Sequence, residues 1–336
     1  GLVEKVEALA RLQLADGRTI MPGAFIPRLN DSQIILLFKQ GLEQGLSQLD
    51  QWDGQLPQAS ELPERTPTYP LGLSLNLPLE ALAHPECAHW VADALKKHQI
   101  PAVRLTLEVL EHHEIQELER SQQQMHALVA LGIALAMDDL GAGYSNLIRL
   151  NNLPFDTVKI DQALIRSAYD DPVRIIKFIS ALIHMTHALD LIVVAEGLEH
   201  PDLIEAVRIL GADMGQGYAI AHPLPPEQFT EWLRTRPPLV DTSYPRTPLG
   251  AIAVHWRMIN YAIPMNQMAG EGLANNCPVN RFIIEQQLEG SALDAAHRAL
   301  HTAAHSQGSH NAEVYQLLHQ VQALLAELVV KPDPTA

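Results

Sequence analysis

"LAMDDLGAGYSNL", residues 135–147, sets two adjacent aspartates, Asp138 and Asp139, directly behind the apolar run 132–137. Like charges a few ångströms apart repel, and one of such a pair ordinarily keeps a proton. Cations held between the two remove that cost. The stretch therefore reads as a buried strand carrying metal-binding acids at its carboxyl end, and it predicts that other strands bring further oxygen ligands to the same place.

Short apolar runs alternate with helix-period segments up to about residue 235. The strand candidates are 6–12, 71–77, 102–109, 132–139, 156–161, 191–197 and 213–220, and the amphipathic helices between them are 32–52, 89–98, 115–132, 173–190 and 202–211. Such alternation implies parallel strands joined by crossover helices. Over this length it favours a closed (β/α)8-type, TIM-like barrel in the α/β class, although alternation alone leaves an open sheet available. Seven strand candidates stand where eight are wanted, and the shortage falls at the amino end, so the N-terminal strand is expected to be missing from this chain. The barrel is assigned to 1–235. A Pro-rich linker, 236–250, follows, and then helical periodicity alone in segments 251–268, 276–288, 291–305 and 311–330. The expectation there is a small all-α helix bundle over 251–330.

Composition narrows the function. The 336 residues are 47% apolar and carry 23 Lys and Arg against 39 Asp and Glu, a formal charge of -16. That balance argues against DNA or RNA as a partner, since phosphate backbones are bound by basic surfaces. An anionic small ligand stays available, because bound cations reverse the local field. Two cysteines far apart, Cys87 and Cys277, argue against a disulfide scaffold. No apolar run reaches membrane-spanning length and no secretory signal opens the chain, so the expected location of this fragment is cytoplasmic.

Polar residues recur at or near the carboxyl ends of the strand candidates: Glu7, Asn76, Glu108, Asp138, Asp139, Lys159, Glu196 and Gln216. Any one alone reads as a helix cap, a turn or a solvated loop residue. Jointly they converge on the face where barrels build active sites. Five carboxylates and an amide make an all-oxygen ligand set, which selects Mg²⁺ or Mn²⁺ over Zn²⁺. Two such ions bridged by one aspartate would form a hydrolytic centre for phosphate esters.

These residues sit in motifs that resemble the EAL-domain phosphodiesterases of cyclic di-GMP over about 3–235. Glu7-Ala8-Leu9 is the eponymous tripeptide, "SLNLP" carries Asn76, and "LTLEVLE" carries Glu108 and Glu111. "MDDLGAGYSNL", "FDTVKIDQALI", "VVAEGLE" and "GADMGQGYAIAHPLP" follow in family order. The resemblance implies metal-dependent hydrolysis of cyclic di-GMP to linear pGpG by in-line attack of an activated water. It implies one metal on Glu7, Asn76, Glu108 and Asp138, and a second on Asp138, Asp139 and Glu196. Lys159 would hold or polarise the nucleophile, with a general-base role also open to Glu196. Gln216 would position the metal–water shell, and Arg11 would bind a substrate phosphate. Glu111 would tether the loop 139–147, with Glu199 supporting the same face. A homodimer is implied by the resemblance only. Leu12, Asn30, Leu140, Ala142 and His200 depart from the family pattern without removing a proposed ligand. The alternative is a non-catalytic cyclic di-GMP receptor, which retention of all the metal ligands and the lysine disfavours.

In the helical tail, His255, Cys277 in "CPVNRF", and His297 and His301 at i,i+4 spacing offer three imidazoles and a thiolate, a closed tetrahedral zinc set. The region resembles a shortened chemoreceptor zinc-binding (CZB) domain, with Asn280 and Phe282 in the Gly and Trp places of its cysteine motif. Against this stands a merely solvated, histidine-rich surface, since His305, His310 and His319 lie close by. The resemblance implies Zn²⁺ there and regulation of the barrel by the helical domain.

Overall fold

The computed structural model describes residues 2–54, 71–110, 115–141, 150, 152–236, 244–257, 277–307 and 311–332. The chain divides into two compact units, 1–159 with 223–240, and 160–222 with 241–336.

In the first unit, β1 (Lys5–Ala8) is followed by a two-residue antiparallel pair, β2 (Leu12–Gln13) with β3 (Thr19–Ile20). The strand expected over 6–12 thus ends at Ala8. "ADGR" at 15–18 turns the chain back, with Gly17 at φ +85° and its N–H on the Leu14 carbonyl at 3.0 Å. Asp-Gly is a strong hairpin signal, because the turn needs positive φ. β4 (Gly72–Asn76), β5 (Leu105–Leu110), β6 (Ala134–Leu140) and β7 (Thr157–Ile160) complete the order β1-β4-β5-β6-β7. β1 with β4, β4 with β5, and β5 with β6 pair in parallel.

β4 and β5 are buried on both faces almost throughout, as strands covered by crossover helices must be. Alternation sends Ser74 and Asn76 to one face and Leu73 and Leu75 to the other. The helix Asp31–Asp53 lies over those leucines. A Cβ at Gly45 would come 2.7 Å from Leu73 Cδ2, and one at Gly41 3.3 Å from Leu75 Cδ1, so the two glycines let the helix close on the sheet. That helix opens with a capping box in which Asn30 accepts from the Gln33 N–H and Gln33 accepts from the Asn30 N–H. At its far end Asp53 takes a bidentate guanidinium from the buried Arg104, at 2.5 and 2.8 Å. Arg104 Nε also donates to the Leu71 carbonyl, which ties the helix end to the start of β4.

The unit boundary falls inside β7, between Lys159 and Ile160. In the second unit, β8 (Ile192–Ala195) pairs in parallel with β9 (Met214–Gly215), and the Glu196 N–H donates to the Ile160 carbonyl. β8 stops short of the expected 191–197 because Gly197 turns at φ +65°. β9 is far shorter than the expected 213–220. A Cβ at Gly217 would stand 2.2 Å from the Leu198 backbone, so the chain there packs on the loop that leaves β8 instead of extending a ladder.

Seven strands make up the barrel sheet among the described residues, and the fold is of the (β/α)8 type with C-terminal helices following it. Those helices are Pro248–Arg257, Pro278–Glu285, Ala292–Gln307 and Ala312–Glu327. Their apolar side chains, among them Leu249, Ile252, Phe282 and Leu318, share one core with Ile176, Ile183, Leu203 and Val207 of the helices Pro172–His187 and Pro201–Leu210. Of the segment expected as a helix over 251–268, the described part is helical to Arg257. No helix among the described residues is long and apolar enough to cross a membrane.

One carboxylate fastens the C-terminal helices to the helix Pro201–Leu210. Glu205, buried, accepts from the N–H groups of Arg246 and Thr247 and from the Thr247 hydroxyl at 2.6 Å. Thr247 Oγ1 in turn accepts from the Gly250 N–H at 3.0 Å, capping the helix that follows. A Cβ at Gly250 would sit 2.1 Å from Glu205 Oε2. Glu205→Ala leaves three donors without their acceptor, and the expected loss is about 2–4 kcal/mol. Urea unfolding monitored by circular dichroism measures it. A loss under about 0.5 kcal/mol would show that the clamp is not needed.

Candidate active site and a second cluster of ligating side chains

β-Strand periodicity decides which side chains meet. In the register, Glu7 is opposite Ser74, Asn76 opposite Glu108, and Leu110 opposite Asp138. Glu7 on β1, Asn76 on β4, Glu108 on β5, Asp138 on β6 and Lys159 on β7 thereby meet. The Lys159 ammonium stands 2.8 Å from Glu108 Oε2, 3.4 Å from Asp138 Oδ1 and 3.6 Å from Glu7 Oε2. Asn76 Nδ2 donates to Glu7 Oε1 at 3.3 Å. Glu108 and Lys159 are each only 3% exposed, so the arrangement is dry at its base.

Burial is the dominant influence on both inner carboxyls. It pushes Glu108 up to about 7, with the charge on Glu7 adding to the rise and Lys159 and the Ser74 hydroxyl opposing it. Asp138 is raised as well, chiefly by burial, against the pull of Lys159. One ammonium among three carboxylates does not neutralise them, so this donor set suits further positive charge. Asp139 follows Asp138 with φ at +63°, a conformation aspartate tolerates better than most residues, and its N–H donates to Asp138 Oδ1 at 3.0 Å. Asp138 and Asp139 each offer a carboxylate oxygen within 4.8 Å of the other.

The remaining expected site residues are distributed as follows. Arg11 lies just past β1, with Nη1 on the Ala10 carbonyl at 2.8 Å. Glu196 and Gln216 belong to the second unit, directly after β8 and β9, with the Gln216 N–H on the Ala195 carbonyl at 2.8 Å. Glu199 pairs with Arg166 at 2.6 Å. Glu111, and residues 142–147 of the loop 139–147 that it is expected to tether, lie outside the described residues.

Two hydrogen-bonded pairs at this site escaped the reading of the sequence. Ser74 donates its hydroxyl to Glu108 Oε1. One layer lower, Lys5 Nζ donates to Thr106 Oγ1 at 2.6 Å. The signal for both was available: Ser74 is two residues before Asn76, Lys5 two before Glu7 and Thr106 two before Glu108, all on the face that carries the acids.

A second cluster lies wholly in the second unit. His297 Nε2 is 3.3 Å from Cys277 Sγ and 3.2 Å from His301 Nε2, and one ligand atom of each residue lies within 4.8 Å of the others. His255 is buried close enough to sense both histidines. Burial first, and then their charges, depress it to about 3. His297 is depressed to about 4, mainly by burial. Both rings are therefore neutral near pH 7, the form that binds metals. Nδ1 of each is buried without a hydrogen-bond partner. Cys277 is raised by burial, with the N–H groups of Val279 and Asn280 opposing.

A barrel whose strand ends gather Glu, Asn, Glu, Asp and Lys offers an oxygen-rich donor set of the kind that hard cations accept. The comparisons narrow this: the EAL domain family matches residues 1–223, and the chain belongs to that family. The signaling protein YkoW of Bacillus subtilis is 29% identical over 232 residues, covering 69% of this chain and 27% of YkoW. The cyclic di-GMP phosphodiesterase PA2567 of Pseudomonas aeruginosa is 29% identical over 230 residues, covering 68% of this chain and 37% of that protein. The chain thus spans well under half the length of these relatives. Among solved structures, the PaMucR phosphodiesterase in a c-di-GMP complex superposes with a TM-score of 0.59 at 29% identity, covering 68% of this chain and 87% of that one.

An unfolded glutamate titrates near 4.3, whereas Glu108 in the fold holds its proton up to about 7. The folded state binds the proton more tightly, so this contribution to stability is present below about pH 4 and is lost as pH rises through 7. In chelator-treated protein, stability should fall from pH 5 to pH 7.5 by on the order of 2 kcal/mol, and Glu108→Gln should flatten the fall. Thermal unfolding at a series of pH values tests it; the same slope in both proteins would show that Glu108 is not the group responsible.

Proposed function

We propose that this chain hydrolyses cyclic di-GMP to linear pGpG at the acidic end of its barrel. The observation that carries the reading is the meeting of Lys159 with Glu7, Glu108 and Asp138, drawn from four separate strands, in a chain of the EAL family. In this reading Glu7, Asn76, Glu108 and Asp138 hold one divalent ion, Mg²⁺ or Mn²⁺. The family resemblance assigns the second to Asp138, Asp139 and Glu196. The ions supply Lewis acidity to the phosphoryl oxygens and a more acidic water. Lys159 directs an ammonium at the nucleophile, and Arg11 offers a guanidinium to a substrate phosphate. Gln216 orients the water shell. The water oxygen bonds to phosphorus in line as the bond to the leaving 3′ oxygen breaks. The water's proton would pass to a carboxylate such as Glu196, and the leaving 3′ oxygen would take up a proton from solvent water.

We infer also that the second cluster binds one zinc ion through His255, Cys277, His297 and His301, and that 251–330 acts as a regulatory helical element joined to the barrel by 236–250. What supports the metal is the closeness of the thiol and two imidazoles and the neutral state of the two buried rings.

Cyclic di-GMP incubated with the protein and Mn²⁺ or Mg²⁺ should give pGpG by chromatography, and Glu7→Ala should lower the rate at least 100-fold, on the order of ~3 kcal/mol of barrel-site stabilisation. Tight nucleotide binding without turnover in the unmodified protein would replace the enzyme with a receptor. For the second cluster, mass spectrometry of protein purified without chelator should find one zinc per chain, and His297→Ala should release it; metal-free protein in the first measurement would dismiss the zinc site.

A further inference from the structure

The inner acids of the barrel rest on a polar floor that the metal-site reading does not use. Ser74 is 6% exposed and lies on the same face of β4 as Asn76, two residues before it. Its neighbours in the register are Glu7 on one side and Thr106 on the other. The hydroxyl donates to Glu108 Oε1, while Glu108 Oε2 faces Lys159 at 2.8 Å. The two oxygens of one carboxylate thus have different partners. Oε1 is turned to the floor and Oε2 to the cluster.

We propose that Ser74 is a positioning residue for the Glu108 carboxylate: by occupying Oε1 it locks the side-chain torsion and leaves Oε2 as the single oxygen offered to a divalent ion. The proposal rests on the reading of Glu108 as a metal ligand. A carboxylate rotating freely about its last torsion can offer one or both oxygens. Each rotation moves a ligand atom by more than the few tenths of an ångström that octahedral Mg²⁺ tolerates. A charge-assisted O–H···O⁻ bond is short and strong, and it holds the plane of the group. Partners of this kind typically set metal affinity by 10- to 100-fold. Lys5 and Thr106 continue the floor beneath Glu108, and the positive charge of Lys5 faces the same carboxylate.

The test is Mn²⁺ binding, followed by electron paramagnetic resonance of the free ion, with thermal unfolding in chelator as a check on the fold. Ser74→Ala should weaken the tighter Mn²⁺ site about 10-fold, and Ser74→Thr, which keeps the hydroxyl, should return it to within about threefold of the unmodified protein. At saturating Mn²⁺ the KM for cyclic di-GMP should stay within about twofold in both variants, because Ser74 touches no substrate group in this reading. Should Ser74→Ala fail to fold, Ser74→Cys preserves the volume with a weak donor and should show the same loss. Equal Mn²⁺ affinity in Ser74→Ala and the unmodified protein, or a Ser74→Thr as weak as Ser74→Ala, overturns the proposal. An unmodified protein that takes up no Mn²⁺ overturns the metal reading itself, which is a separate result.

Discussion

The ammonium of Lys159, held between carboxylates of β1, β5 and β6, is the interaction on which the first unit turns. Three acids on three parallel strands cannot stay charged in a dry barrel end unless positive charge stands among them. The same constraint explains the burial pattern. The strands put leucines on the helix-facing side and polar side chains on the other, and the polar side is nearly as dry as the apolar one. The charge deficit that Lys159 leaves uncovered is therefore a consequence of the register, built from strand pairing.

The regularity of that pairing is why so much of the barrel is legible in the letters. Lys159, Glu108 and Asp138 fall at strand positions that a period of two assigns to one face, so the motif order and the spatial order coincide. Legibility fails where the backbone leaves the ladder for local reasons. β8 and β9 end early because of glycines, at Gly197 by positive φ and at Gly217 by contact with the Leu198 backbone. At β9 the apolar letters Tyr218, Ala219 and Ile220 continue past the break, so periodicity alone overruns it. The small pair β2–β3 is the opposite case. Its turn residues Asp16 and Gly17 are explicit in the sequence, but the strands are too short to show any alternation.

Ser74 was hidden for another reason. A serine in a strand carries no motif weight, and a hydroxyl becomes informative only when its partner is known to be a buried acid. Glu205 is similar. In sequence it is one more acid on an amphipathic helix, and only the fold shows it serving the backbone of residues 246 and 247. Both are polar groups whose role lies in satisfying another polar group, and periodicity has no access to such pairs.

The shared core of the second unit bears on how the C-terminal helices can influence chemistry. A bundle tethered by a flexible linker would act only through proximity. Here the helix Pro248–Arg257 is clamped by Glu205, and its apolar face is continuous with the helices that flank β8. His255 sits on that clamped helix, while His297 and His301 sit on Ala292–Gln307, packed into the same core. Close-packed interiors do not deform smoothly, so under the proposed regulation a change in how these imidazoles and Cys277 are held would be passed on as a shift of whole helices. Glu196 follows β8 immediately and precedes the helix Pro201–Leu210 that carries Glu205. Under that proposal the path from the ligating cluster towards Glu196 runs through one shared apolar core, to which Glu205 adds its hydrogen bonds with residues 246 and 247.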